Sequence, residues 1–118
     1  MPAAIFNGPY VKILKEELKA KSGGLFDKVY VSVKSTAFTA AVGYTYLINS
    51  GTAIAVTLPS AITNAGIVFK DSTGTAATNN VTITRADSAT IDGATTLVIS
   101  SNYGSAKIIS DGTNWFIT

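Results

Sequence analysis

The chain has 118 residues, enough for one modest core and not for two. Hydrophobic residues make up 47% of it and charged residues 14%, well under the ~25% charged of an average soluble domain. Nine Lys and Arg against seven Asp and Glu give a net charge of +2. No two basic residues are adjacent and Arg85 is the only arginine, which excludes the basic stripe and bidentate readout that nucleic-acid binding needs. The chain holds no Cys and no His, so a disulfide framework and thiolate or imidazole metal sites are excluded too. No run of ~18 apolar residues is present to span a bilayer. The opening MPAAIFNGPYVKILK lacks the charged-then-apolar pattern of a secretory signal. Synthesis in a cytoplasm is therefore expected, with arrival elsewhere by assembly. So apolar a chain has difficulty covering its surface with polar groups, which predicts burial against copies of itself or against a larger assembly.

Met1 to Phe6 reads as a short apolar arm carrying Ile5 and Phe6. Asn7-Gly8-Pro9 is a helix-start signal, because Asn or Gly caps and Pro suits a first helical position whose N–H has no partner anyway. Val11, Leu14 and Leu18 then recur at helical spacing, with Tyr10 one turn before Leu14. Lys12 with Glu16 and Glu17 with Lys21 pair at i,i+4 on the wetter side. Ser22-Gly23-Gly24 ends the pattern. A helix of about three turns is marginal alone in water. Its Tyr10, Leu14 and Leu18 stripe must dock either on its own domain or on a neighbouring subunit. Residues 1–24 are thus read as an arm and helix, and 25–118 as a separate β-domain.

From Val29 the period changes to two. Val29, Val31 and Val33 alternate with Tyr30, Ser32 and Lys34. Tyr44, Tyr46 and Ile48 follow, then Ile54, Val56 and Leu58, Ile67 and Phe69, Val81 and Ile83, Ile91, Leu97 and Ile99, Ile108, and Trp115 with Ile117. Asn49-Ser50-Gly51, Asp71 to Gly74, Asn79-Asn80, Asp92-Gly93 and Asp111-Gly112 punctuate these runs. The pattern predicts about nine short strands in a single antiparallel β-sandwich or barrel-like domain. No fixed period emerges, which disfavours a solenoid of many identical coils. The closing hairpin is the clearest element: Ala106 to Ser110, the Asp-Gly turn, then Trp115 to Thr118. Ala, Thr and Ser crowd the non-aliphatic faces, which suits a face that packs closely against another subunit, though a plain solvent face also tolerates them.

Chemistry finds little support. Hydroxyl nucleophiles need a base, normally His, and neither Ser35 nor Ser105 stands out beside a lysine. Asp71, Asp87, Asp92 and Asp111 each fall in or near a turn, where Asp bonds its own backbone. No D-x-D-x-D spacing marks a calcium loop, which leaves a symmetry axis as the place for any cation. Asp71-Ser72-Thr73-Gly74-Thr75 lacks the Gly-Lys-Ser/Thr of a phosphate loop. No catalytic residue, cofactor or metal ligand is assigned. Tyr44 and Tyr46 share one face of a strand and form a candidate surface contact for a sugar, against the commoner alternative of packing within a core or interface.

VTLPSA, then NAGIVFKDSTGTAATNNVTITRA, then ATIDGATTLVISSNYGSAKIISDGTNWFI, from Val56 onward, resemble a β-structured module of bacteriophage virion proteins. The pattern is similar to terminal domains of tail fibres and to small head-fibre or decoration proteins, which are usually homotrimers. The opening IFNGPYVKILK likewise resembles the segment by which such proteins tether to the particle. The resemblance implies a homotrimeric capsid decoration protein, of cement or head-fibre kind, on the virion surface and bound to the major capsid protein. Ile5, Phe6, Tyr10, Leu14 and Leu18 would be its capsid anchors, with no nucleic acid, membrane or enzymatic activity involved. The alternative is a short tail-fibre or receptor-binding module, touching a host-surface glycan through Tyr44 and Tyr46 or the loop Asp71 to Asn80.

Overall fold

A computed structural model of the chain describes residues 30–118, and the nine strands below are those of the described residues. The arm, the helix and the five anchor residues expected before Tyr30 lie outside them, as does the boundary between the two segments.

The alternating runs become strands where they were expected, with one addition and one loss. The strands are β1 (Tyr30–Lys34), β2 (Phe38–Thr39), β3 (Tyr44–Ile48), β4 (Ile54–Thr57) and β5 (Thr63–Asp71), then β6 (Val81–Thr84), β7 (Thr96–Ile99), β8 (Ser105–Asp111) and β9 (Trp115–Ile117). The two-residue β2 was too short to signal. Ile91 makes only isolated bridges, to Ala94 and to Trp115.

The strands form two sheets. One has five strands in the order β1-β3-β5-β8-β9, the other four in the order β2-β4-β6-β7. The chain alternates between them through its first six strands, so β1, β3 and β5 are parallel neighbours in one sheet and β2, β4 and β6 in the other. Only from β7 onward do strands pair antiparallel, β7 on β6, β8 on β5 and β9 on β8. The expected wholly antiparallel sandwich or barrel is therefore corrected to two mixed sheets, neither of them a closed barrel. Parallel strands need a crossover between them, and here each crossover is a strand of the facing sheet. Partners are 14 residues apart from β1 to β3 (Tyr30 and Tyr44) but 23 apart from β3 to β5 (Thr45 and Val68). Coils of such unequal length leave no period in the sequence.

Both sheets send alternate side chains into one core. The five-stranded sheet contributes Tyr46, Ile48, Ile67, Phe69, Ile108 and Trp115; the four-stranded sheet contributes Ile54, Val56, Val81, Ile83 and Ile99. The final hairpin forms as expected, with Ser110 opposite Trp115. Gly112 takes φ +99° in its turn, and the Asp111 carboxylate accepts the Thr113 and Asn114 N–H groups, each at 2.9 Å. Trp115 is only 1% exposed and the neighbouring loop covers it, its N–H bonding the Thr90 carbonyl at 2.8 Å. A second tight turn follows Ile91. Asp92 and Gly93 take φ of 49° and 81°, and Ile91 and Ala94 exchange hydrogen bonds of 2.8 and 2.9 Å, the two-residue hairpin geometry that Asp-Gly favours.

Candidate functional site

The carboxylates have structural tasks. Asp71 ends β5 with 2% of its surface exposed. One oxygen accepts the Thr73 N–H (3.0 Å), the Thr73 hydroxyl (2.9 Å) and the Gly74 N–H (3.1 Å). The other accepts the Ala76 N–H (2.9 Å) and the Tyr103 N–H (3.0 Å). Burial pushes this carboxyl up, but the hydrogen bonds from Ala76, Tyr103 and Thr73 outweigh it and hold the group well below the usual carboxylate range. So satisfied an acid is a clasp: it ties the β5–β6 corner to the turn before β8. Asp87 caps Ala89 N–H at 2.9 Å and Asp92 accepts Ile117 N–H at 3.1 Å. Asn114 and Thr113 N–H groups lower the Asp111 carboxyl in the same way. Among the described residues no three acidic, His or Cys side chains stand together as metal ligands.

The tyrosines divide. The face that Tyr44 and Tyr46 share is the inner one, so Tyr46 is core, 3% exposed and stacked on Phe69 at 5.7 Å between centroids. Its hydroxyl accepts the Ala41 N–H at 2.7 Å. Tyr46 is thereby corrected from candidate surface contact to core. Tyr44 reaches the rim, between Tyr46 at 5.4 Å and the exposed Tyr30 at 5.9 Å. A shallow groove at the far end, lined by Leu97, Ile99, Ala106 and Ile117, brings in no charged group.

What remains is the pair of outer faces. Register places Thr39, Thr57, Thr84 and Thr96 in one row across all four strands of the smaller sheet, with Ala55, Thr82 and Val98 in the next. The outer face of the larger sheet is of another kind. One row runs from Val31 through Thr45 and Val68 to Lys107, another from Val33 through Leu47 and Lys70 to Ser105, and a third joins Gly66, Ile109 and Phe116. Sequence reading missed this surface, although its signal was present as apolar residues on both faces of β5 and β8.

The described β-domain thus has core-filled sheets and acids engaged by its own backbone. The family of bacteriophage T4 gp9/10-like proteins, N-terminal, matches residues 10–114. The chain belongs to that family. No individual curated protein matches it. This gp9/10-like chain is thus a phage virion β-domain protein of a structural family, as its resemblance to virion modules implied. Within it the described residues supply strands β1 to β9, and the family match extends upstream over the expected helix.

Proposed function

We propose that this gp9/10-like chain is a structural virion component that decorates and stabilises the capsid as a homotrimeric cement or head-fibre protein. The observation that supports this most is the set of exposed apolar side chains on the outer face of the five-stranded sheet, Val31, Val33, Ile109 and Phe116, which stand there beside Lys70 and Lys107. The turn-bound acids and the buried Tyr46 favour a scaffold over a chemical or sugar-binding site. In this reading Ile5, Phe6, Tyr10, Leu14 and Leu18 anchor each copy to the major capsid protein. Three modest footprints on one particle add as avidity. The test is to count copies per virion and to delete Met1 to Lys21. Copies in register with the capsid lattice, and a truncated oligomer that folds but no longer binds capsids, are the expected results. A few copies per particle, or undiminished binding after truncation, overturns the decoration role.

A second reading, a short tail-fibre or receptor-binding module touching a host-surface glycan, draws on the family match and on the exposed Tyr30–Tyr44 pair. It predicts that particles lacking the protein fail to adsorb, whereas the decoration role predicts fragile particles that still adsorb.

A further inference from the structure

The turn before β8 carries a backbone cost that its own sequence offers a way to avoid. In Ser101-Asn102-Tyr103-Gly104, Asn102 and Gly104 are the residue types that accept positive φ cheaply. The positive φ, 59°, falls instead on Tyr103, where a bulky side chain makes it a genuine outlier. Two bonds hold it there: the Tyr103 N–H bonds the Asp71 carboxylate at 3.0 Å, and the Tyr103 carbonyl accepts from the Lys70 ammonium. The side chain so placed is not core, being 60% exposed. The outer end of its ring rests on Gly74, in the Asp71 to Asn80 loop, where an added Cβ would stand 2.9 Å from the hydroxyl oxygen. A ring held against a glycine yet largely open to solvent has little burial to offset the backbone cost, which implies a use outside the fold.

We infer that Tyr103 is the platform of a saccharide contact, with Lys70 and Lys107 selecting an acidic sugar. The inference deepens the glycan reading above and rests on it, and it moves the contact from Tyr44 to the Asp71 to Asn80 loop. A pyranose presents a C–H face ringed by hydroxyls, and an exposed tyrosine offers an apolar ring with a polar tip to match. The surroundings supply the polar partners. The Asn102 side-chain oxygen accepts the Ala77 N–H at 3.0 Å, which leaves its amide N–H donors for a ligand. The Lys70 ammonium stands 6.0 Å from the Tyr103 ring centroid, and the Tyr103 carbonyl takes one of its three donors. Lys70 pairs with Ser105 and Lys107 with Val68, so the two lysines are diagonal neighbours on one face of β5 and β8, within reach of long side chains. Asp71, the acid beside them, is already spent: it is 2% exposed and its oxygens accept from Thr73, Gly74, Ala76 and Tyr103. The charge left to meet a ligand there is positive. A sugar carboxylate gains a charge-assisted bond from it that a neutral sugar does not.

The experiment is an NMR titration of the full chain with trigalacturonate, maltotriose and inorganic phosphate. Trigalacturonate should bind at least about fivefold tighter than maltotriose, with the preference shrinking as salt rises, and should shift the Tyr103 ring signals. Tyr103→Gly should weaken trigalacturonate about tenfold, the scale of one lost stacking contact. Its urea midpoint should hold or rise, because glycine accepts the positive φ without strain. Lys70→Gln, which can still donate to the Tyr103 carbonyl, should erase the preference for trigalacturonate and leave maltotriose binding as it was. If the native chain binds sugar and both variants bind it unchanged, the site is wrong while the glycan reading stands. Phosphate bound as tightly as trigalacturonate would mean that the lysines act alone, and would overturn the platform. A Tyr103→Gly midpoint well below the native one would make the ring a cover for Asp71 and overturn it too. A native chain that binds neither sugar overturns the inference, and the adsorption of particles lacking the protein then decides the glycan reading by itself.

Discussion

The two sheets bury the same kinds of residue and expose different ones. Inward they contribute the aliphatic and aromatic side chains of one core. Outward, the smaller sheet shows a threonine row, Thr39, Thr57, Thr84 and Thr96, beside Ala55, Thr82 and Val98, and the larger shows Val31, Val33, Leu47, Val68, Ile109 and Phe116 interspersed with Thr45, Lys70 and Lys107. β-branched residues favour strands on both faces, so strand propensity does not separate them. Wetting does: a threonine hydroxyl bonds water where a valine methyl cannot. Inner faces explain why the chain folds, and the outer faces are where the two sheets differ.

The contrast presumes that both faces sit on a single core, and the largest expected effect tests that. Trp115→Ala empties the site where β9, the Ile91 loop and the core meet. Loss of so large a buried ring costs about 3–5 kcal/mol. Urea unfolding at fixed protein concentration, followed by circular dichroism and tyrosine fluorescence, should show one transition at a much lower midpoint. Two separated transitions would mean that each sheet is its own unit, and the comparison would lose its common frame.

Asp71 fixes the corner where the chain leaves the larger sheet for the smaller. Asp71→Asn turns a five-fold acceptor into a group with one acceptor oxygen and an amide facing N–H donors. Its expected cost is about 2–3 kcal/mol, since buried donors are left unsatisfied. The folded-state pKa is lowered, so the native carboxylate's stabilisation is complete above about pH 4, the usual Asp value, and is lost as pH falls below it toward the depressed folded value. Measured from pH 5 downward, the acid-side loss of stability should be shallower in Asp71→Asn than in the native chain. Equal slopes would assign the acid sensitivity to other groups.

Gly93→Ala is a smaller, local change. Gly93 has φ +81° in the turn after Ile91, and nothing lies within 4 Å of an added Cβ. Its cost is therefore conformational, roughly 1–2 kcal/mol for an L-residue forced into the left-handed region. A midpoint unchanged from the native chain would show that the Ile91–Ala94 hairpin is not held in its positive-φ form.

Strand positions were legible because period two survives any pairing. The pairing itself was not, because parallel and antiparallel ladders leave the same alternation. The Asp111-Gly112 signal located the closing hairpin, whereas Asp92-Gly93, read only as punctuation, makes a second tight turn, and similar punctuation at Asn49 to Gly51 and Asp71 to Gly74 marks corners between sheets. Asp71 was recognised as a turn residue, but its partner Tyr103 lies 32 residues away and no local pattern announces it. Tyr44 and Tyr46 were correctly placed on one strand face. Whether that face looks inward depends on its neighbours, Phe38 and Phe69, which are brought there by other strands. The valines of β1 failed for the converse reason: alternation names two faces, and only register with β3 says which one is the core.

The smallest effect bears most directly on what separates the faces. Thr57→Val and Thr84→Val, combined, remove two hydroxyls from the outer row of the four-stranded sheet while keeping the branched shape. Both side chains are exposed, so the stability change should stay within about 0.5 kcal/mol. Light scattering should return the native mass, because a band of matched relief needs more than two methyl groups to recreate. A stable midpoint with a larger mass would show that apolarity alone makes a sheet face of this fold associate. The threonine row would then be what keeps that face from associating, and the difference between the two faces would rest on a few hydroxyl groups.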